Sequence, residues 1–469
     1  MPVPHGAGLP AVCDTLPMIP VVTPAEMREL DRAAADEFDV LVERAGAAVA
    51  AAALRLLGGA YGRRVVVVAG PGSNGADGRV AARRLAARGV RTVVLDASDA
   101  AGQELPPSDL VVDAAFGTGF RGEYEFPGTG GAPVLAVDVP SGIDGLTGAA
   151  SGRPPVAVAT VTFAAMKPGL LLADGPAHAG RVDVAQIGLD VGSPVAGLFT
   201  AADVVTAVPA RSASAHKWHH AVAVVAGSPG MTGAAVLCST AALRAGAGYV
   251  RLTTPGATGP APGLPPEVVV AQRPGAAPDV LLEDLERFAA VVVGPGLGRT
   301  SVALTAVGAV LDAATAPVVV DGDALHLLGP DPVGRLRART APTVLTPHDG
   351  EFAALTGSPP PADRLTAVRD LAAHTGAVVL LKGPTTVVAA PDGRVRFVRS
   401  GDQRLATAGT GDVLAGTVAA TLALGADPLE GTAAAAYLHG RAGSLGPAHG
   451  LVASDVAALL PAAWDAVTA

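Results

Sequence analysis

The sequence predicts an α/β protein of two doubly wound domains, each built on a mostly parallel sheet covered by helices. Three observations carry this reading. Short apolar β-branched runs such as RVVVVA at residues 64–69 recur along the chain, separated by helical stretches. That alternation belongs to strands buried on both faces. Many of the runs end in a glycine-rich loop, where ligands of such sheets bind. The alternation breaks once, around residues 199–214, and then resumes.

The elements follow in order. A proline-rich leader, residues 1–22, is expected to be disordered. Thr23-Pro24-Ala25-Glu26 starts a helix, with Thr as cap and Pro at the first helical position. A second helix covers residues 41–57. Strands are expected at residues 64–69, 90–95, 110–113, 134–139, 158–164 and 181–187, with a helix at 79–88. After the break come strands at 221–226, 249–253, 290–293, 318–321, 343–345 and 378–381, then an apolar helix from Val413. The domains are therefore residues 23–205 and 206–469.

A chain of 469 residues exceeds one ordinary core. The longest apolar candidate, residues 413–426, is shorter than the roughly 18 residues a membrane span needs. No basic, apolar signal segment opens the chain, and Cys13 and Cys238 make no disulfide framework. A cytoplasmic protein is expected. The net charge of −9, 3% aromatic content and lack of a basic stripe argue against nucleic acid. A homo-oligomer is the expected assembly. The chain has three lysines, Lys167, Lys217 and Lys382, among 33 basic residues, and one asparagine, Asn74. Such scarcity favours sites where a compact point charge is needed, because the broad fork of arginine cannot replace it.

In the first half, GPGSNGADG (residues 70–78) follows a strand and opens a helix, so its amides can approach an anion. DAAFGTGFRGE (113–123) and VDVPSGIDGLTG (137–148) are further strand-end loops, and FAAMKPG (163–169) brings Lys167 to a fourth. Asn74, Asp113 and Ser141 offer oxygen ligands, which suit a hard cation such as K⁺ better than a transition metal. These motifs, in this order, resemble the YjeF N-terminal domain family. The resemblance implies a Rossmann-like NAD(P)H-hydrate epimerase with bound K⁺. It places Ser73, Asn74, Gly75, Ala76 and Asp77, then Gly117, Thr118, Gly119, Phe120, Arg121, Gly122 and Glu123, and Asp138, on the substrate. Asn74, Asp113 and Ser141 would hold K⁺. Ala76 stands where the family usually has glycine. Inversion at a hydroxylated ring carbon needs a positioned acid or base. Asp138 is the first candidate and Lys167 the second, as an acid or as the charge facing the substrate phosphates.

In the second half, AHKWHH (215–220) crowds titratable groups before a strand, and surface histidines are the simpler reading. GSPGMTGAA (227–235) and GPGLG (294–298) are strand-end loops. Asp321 and Asp323 form a carboxylate pair suited to Mg²⁺ through water, or to a helix cap. TPHDGEF (346–352), LLKGPTT (380–386) and ATAGTGDVLAG (406–416) follow. The last is the most specific: small residues bring successive amides to a helix start as an anion hole, with Asp412 beside it. In phosphoryl transfer such an Asp takes the proton of the attacking hydroxyl. This set resembles the ribokinase-like superfamily and, within it, the YjeF C-terminal NAD(P)H-hydrate dehydratase family. Trp218, Gly322 and Asp349 depart from the family's usual Gly, Ala and Pro. The resemblance implies that Ala234, Gly296, His348 and Asp412 contact hydrated NADH or NADPH. It places Lys382, Gly383, Pro384, Thr385 and Thr386, with Gly409, Thr410 and Gly411, on the adenine nucleotide. ADP as co-substrate, with Mg²⁺, is expected. A vitamin or sugar kinase is the rival reading of the AGTGD loop alone, and a non-catalytic scaffold the rival for the first half.

Overall fold

The structure, a computed structural model, describes residues 18–256, 261–271, 284–330 and 332–468. The chain divides into two compact units, residues 19–196 and residues 197–469 with the N-terminal 18. Most of the leader, residues 1–17, lies outside the described residues. Its end is ordered: Ile19–Val21 is a strand, where Met166 N donates to Pro20 O and Val22 N to Met166 O.

The first unit begins with helix α1 (Pro24–Ala33), where Thr23 and Glu26 close a reciprocal capping box and Pro24 opens the first turn. Helix α2 (Phe38–Leu57) follows and ends on left-handed Gly58. Six parallel strands form the sheet: β1 (Arg64–Ala69), β2 (Arg91–Asp96), β3 (Leu110–Ala114), β4 (Val134–Val137), β5 (Ala159–Phe163) and β6 (Arg181–Ala185), in the order β2-β1-β3-β4-β5-β6. The valine run of β1 is buried on both faces. Val65 and Val67 join the core that contains α2, and Val66 and Val68 join the opposite core with Tyr124 and Phe126. Two faces to fill explain why the run shows no polar alternation.

The strand order reverses beside β1, whose neighbours are β2 and β3. The crevice beyond their carboxyl ends is therefore the switch point where such sheets bind ligands. The helix after β1 was expected at residues 79–88; it is α3 (Ser73–Ala86) and starts six residues earlier. The glycine loop closes within three residues because backbones can touch. A Cβ on Gly75 would lie 1.9 Å from Gly70 O. Ser73 and Asn74 thus occupy the first helical turn, with amides facing the crevice.

The second unit repeats the logic. Strands β7 (Ala221–Val225), β8 (Tyr249–Thr253), β9 (Ala290–Val293), β10 (Val318–Val320), β11 (Thr343–Leu345) and β12 (Val378–Leu381) pair in parallel. Two antiparallel strands that the sequence reading did not include, β13 (Thr386–Ala389) and β14 (Val395–Val398), extend the β12 side. The order β14-β13-β12-β11-β10-β9-β7-β8 reverses beside β7, which puts the loops after β7 and β9 at this unit's switch point. Helix α4 (Thr232–Arg244) follows β7. Further on come α5 (Asp323–Leu328), α6 (Asp349–Thr356), α7 (Thr410–Ala423) and α8 (Pro428–Leu445). Among the described residues no helix is long and apolar enough to cross a membrane. Cys238 is a buried free thiol.

Helices α4 and α7 pack closely because position 416 lacks a side chain. A Cβ on Gly416 would lie 2.1 Å from Cys238 O and 3.1 Å from Ala241 Cβ. Gly416→Ala is expected to lower stability by about 1–3 kcal/mol through overpacking, although alanine is the better helix former by about 1 kcal/mol. Both tryptophans, Trp218 and Trp464, lie in this unit. Tryptophan fluorescence during chemical denaturation therefore reads the effect; an unchanged or raised midpoint would contradict the close crossing.

Candidate functional sites

The first site gathers at the carboxyl ends of β1, β3, β4 and β5. Asp138 directly follows β4 with a φ of +66°, and Ala164 directly follows β5 with a φ of +61°. Val139 N donates to Val137 O, and Ala165 N to Phe163 O. Both are tight three-residue turns with a positive central φ, a costly form for a residue with a Cβ. The first turn aims the Asp138 carboxyl into the crevice. Lys167 Nζ lies 2.8 Å from Asp138 Oδ1. Thr162 Oγ1 donates to the same oxygen at 3.1 Å, and Thr118 N donates to Oδ2 at 3.3 Å.

Lys167 is 1% exposed and also donates to Thr162 Oγ1, Phe163 O and Ala165 O. The structure therefore corrects one expectation. Lys167 does not face substrate phosphates; its charge is spent inside the protein on Asp138. A Cβ on Gly117 would lie 2.9 Å from Asp138 Oδ2 and 3.4 Å from Asn74 Cγ, so Asn74, Gly117 and Asp138 meet at one point. Gly75 and Asp77 are buried, Ala76 is half-buried, and Ser73, Gly119, Arg121, Gly122 and Glu123 are exposed. Phe120 packs 4.9 Å from Phe116, centroid to centroid, while Arg121 Nη1 lies 3.7 Å from Asp144.

Behind this point, Asp113 is wholly buried. It accepts from Ser141 Oγ at 2.6 Å, Ser141 N at 2.8 Å and Ala115 N at 3.3 Å. Burial raises its carboxyl to about 6, against the lowering effect of these bonds. Asp77 is pushed further, to about 8, by burial first, then by the charges of Asp138 and Asp31. Asp31, on α1, is itself raised by burial and by Asp138, with Lys167 opposing. Asp31 is missing from the sequence reading because on α1 it looks like any charge on a solvated helix face.

The second site lies at the carboxyl ends of β7 and β9 to β12. Asp321 follows β10 and is buried. It accepts from Lys382 Nζ at 2.7 Å and from Thr346 Oγ1 at 2.6 Å. Glu351 Oε2 lies 3.6 Å from the same ammonium and accepts from His348 N at 2.8 Å. His348 caps α6: its Nδ1 accepts from Gly350 N and Glu351 N. That fixes Nδ1 as the unprotonated nitrogen; Nε2, on a side chain 58% exposed, lies 3.6 Å from Glu351 Oε1. The Asp321 and Asp323 pair does not converge. Asp323 instead accepts from Gly298 N at 2.8 Å and pairs with Arg299, tying down the end of the GPGLG loop. Ser228 Oγ donates to Gly296 O, and a Cβ on Gly296 would lie 2.8 Å from Ala234 Cβ. Ala234 and Gly296 are thus neighbours across the switch point.

The AGTGD loop turns on Gly409, whose φ is +91°, into α7. Thr410 Oγ1 donates to Leu405 O and Thr407 O at 2.9 Å each, so this hydroxyl shapes the loop. A Cβ on Gly411 would lie 3.5 Å from Lys382 Nζ; the ammonium stands beside the amides of the helix start. Gly383 and Pro384 are exposed, Thr386 is half-buried, and Thr385 is buried. The carboxyl of Asp412 is raised to about 7 by burial and by Asp321, with Lys382 opposing and Glu351 and Asp323 adding to the rise. Sequence reasoning missed His439, the one histidine in the apolar helix α8. Burial lowers it to about 4, so its ring is neutral, and its Nε2 has no hydrogen-bond partner. The AHKWHH segment forms a short exposed turn. Arg287 lies 3.9 Å over the Trp218 ring, and Lys217 lies 5.5 Å from the Tyr249 centroid. Among the described residues no three His, Cys, Asp or Glu side chains group to chelate a metal.

Comparison with known proteins finds a match for each half of the chain. A family model described as NAD(P)H-hydrate dehydratase matches residues 222–461, and one described as YjeF-related protein N-terminus matches residues 38–104 and 92–169. A bifunctional NAD(P)H-hydrate repair enzyme of Moorella thermoacetica is 37% identical, over 90% of this chain and 92% of its own. Its counterpart in Mycobacterium leprae is 40% identical, over 87% of this chain and 90% of its own. A ribokinase-like superfamily protein of Enterococcus faecalis has the fold of the second unit. It is 24% identical with a TM-score of 0.51, over 59% of this chain and 98% of its own.

The Asp77 carboxyl makes the first unit sensitive to pH. Its folded value, about 8, lies above the unfolded 3.8. The folded state therefore holds more protons between these values, and the contribution is full below the lower one and lost as pH rises through the upper. Calorimetry is expected to show the first unit's transition, the one silent in tryptophan fluorescence, moving down in temperature from pH 5 to pH 9. Asp77→Asn should flatten that slope. An equal slope in wild type and variant would show that Asp77 ionises normally.

Proposed function

The chain belongs to the family of bifunctional NAD(P)H-hydrate repair enzymes, and from this premise we propose that its two units repair hydrated NADH and NADPH in sequence. The first exchanges the R and S epimers at the hydroxylated ring carbon. The second dehydrates the S epimer at the expense of ADP, which becomes AMP and phosphate. The observation that carries the reading is Asp412, raised to about 7 at the mouth of the AGTGD helix start, with Lys382 beside the amides.

A base works best when its proton affinity matches the working pH. Asp412 takes the proton of the ring hydroxyl, and the hydroxyl oxygen attacks the terminal phosphorus of the nucleotide. The amides of Gly409 to Asp412 and the Lys382 ammonium face the charge on the transferring group. The ring nitrogen then pushes out phosphate, and loss of a proton from the neighbouring carbon restores the ring double bond. Neutral His439, beneath the loop, adds no repelling or competing charge. Ala234, Gly296 and His348 Nε2 line the dinucleotide side of the crevice, and Lys382 to Thr386 the nucleotide side.

Two ions fit the residues present. Asp321, Glu351 and Asp323 all act electrostatically on Asp412, with Lys382 opposing, a surplus of negative charge suited to Mg²⁺ arriving with the phosphates. Mg²⁺ supplies neutralisation of phosphate charge. In the first unit, Asp113 is fully buried, yet its hydrogen-bond donors are a hydroxyl and amides rather than a basic side chain. A monovalent cation such as K⁺, held by the side-chain oxygens of Asn74, Asp113 and Ser141, would supply the missing charge beside the loop after β3. Asp138, oriented by Lys167 and Thr162, is the base of epimer exchange.

Incubating the protein with hydrated NADH, ADP and Mg²⁺ and following the absorbance of restored NADH tests the reading; folded protein that restores none would overturn it. Comparison of ADP with ATP settles the nucleotide. The dehydration kcat/KM should rise with pH through about 7, as Asp412 loses its proton. Asp412→Asn should lower it by about 10²–10⁴-fold and leave epimer exchange intact. A parallel loss of both activities would refute separate sites.

A further inference from the structure

The carboxyl of Asp77 is used by nothing in the mechanism above. Asp77 is 6% exposed. Among the described residues it makes no hydrogen bond or ion pair, and its oxygens are not sealed from the crevice. It lies one turn beyond the free amides of α3, so the helix start does little to offset its charge. The charged groups around it come from three other elements: Asp31 from α1, Asp138 after β4, and Lys167 after β5. Lys167 gives its charge to Asp138 at 2.8 Å. Asp77 lies one turn along α3 from Asn74, on the same helix face, and Asn74 meets Asp138 at Gly117, so the two carboxyls share one crevice. One is paired with an ammonium and aimed by a strained turn; the other is buried with no basic side chain bonded to it.

We propose that Asp77 is the general acid of epimer exchange, working across the hydroxylated ring carbon from Asp138, the general base. This rests on the epimerase reading of the first unit. Carboxyl pairs whose surroundings differ in this way divide acid and base roles. The ring nitrogen's electron pair forms the carbon–nitrogen double bond as the carbon–oxygen bond breaks. The Asp77 proton passes to the departing hydroxyl, which leaves as water. Water then adds to the other face of the cationic ring, giving one proton to Asp138. Each turnover leaves the proton on the other carboxyl, so the same pair serves the reverse direction, and solvent resets it.

The test uses the full chain and hydrated NADH, separating the epimers by chromatography. Dehydration of the S epimer with ADP and Mg²⁺ in the same preparation is the control. Asp77→Asn keeps the size and neutrality of the protonated side chain. It should lower the kcat of exchange by about 10²-fold or more with KM changed by less than about threefold. Wild-type exchange should fall above pH of about 8, and that limb should vanish from the residual activity of the variant. Asp77→Glu, which restores an acid, should exchange faster than Asp77→Asn. Retained exchange in Asp77→Asn, a loss confined to KM, or equal rates for the Asn and Glu variants would overturn the proposal. Wild-type protein that dehydrates the S epimer but exchanges no epimers would instead overturn the epimerase reading.

Discussion

Lys167 Nζ lies 2.8 Å from the Asp138 carboxylate, and Lys382 Nζ lies 2.7 Å from that of Asp321. In each unit a lysine, fully buried in the first and half-buried in the second, neutralises an aspartate that directly follows a parallel strand. An uncompensated charge there would be costly to bury, and removing one partner of such a pair is strongly destabilising. The pair also sets the chemistry beside it. With the lysine largely committed, a nearby carboxyl keeps most of the cost of its own burial. In the first unit that carboxyl is Asp77, raised to about 8; in the second it is Asp412, raised to about 7. The two units have the same electrostatic plan on sheets of different strand order.

Backbone geometry lets these groups converge. Parallel strands deliver every loop after a strand to one end, and the reversal of order opens a gap between two of those loops. Small residues then allow the loops to close: Gly75 against Gly70 in one unit, Gly296 against Ala234 in the other. Bulk is excluded from the crevice walls so that amides, carboxyls and ligand can occupy the space.

Much of this was legible in the sequence. The β1 valine run, the Thr23 cap and β8, β9, β11 and β12 were read at or near their observed bounds, because buried strands and caps leave local signals. Scarcity was informative as well. Lys167 and Lys382 both sit in sites, whereas Lys217 lies exposed near an aromatic ring. Other features were not local. The helix after β1 was read too late because glycines usually mean loop, and only the contact between Gly70 and Gly75 shows that the first turn is helical. The β13–β14 hairpin carries a turn signal, Pro391-Asp392-Gly393, but its pairing depends on an edge of β12 that no sequence window shows. Asp31 and His439 were invisible because neighbouring charges in the one case and burial in the other, not residue type, set them apart. Asp321 and Asp323 read as a pair, yet the start of α5 turns one to Lys382 and the other to Gly298.

The two raised carboxyls carry opposite demands. Asp412, in its proposed role as base, must be ionised, so dehydration is expected to rise with pH through about 7. Asp77, in its proposed role as acid, must hold its proton, so exchange is expected to fall as pH rises through about 8. Dehydration consumes one epimer only, so the other is repaired no faster than exchange supplies it. In the proposed mechanism, repair of both epimers therefore needs Asp412 able to ionise while Asp77 still holds its proton. Between the two values both groups are near half-ionised, the condition in which a carboxyl gives or takes a proton with least driving force lost. Burial of one aspartate beside a lysine–aspartate pair, carried out twice on one chain, thus gives each unit a carboxyl whose proton affinity is raised towards neutral pH.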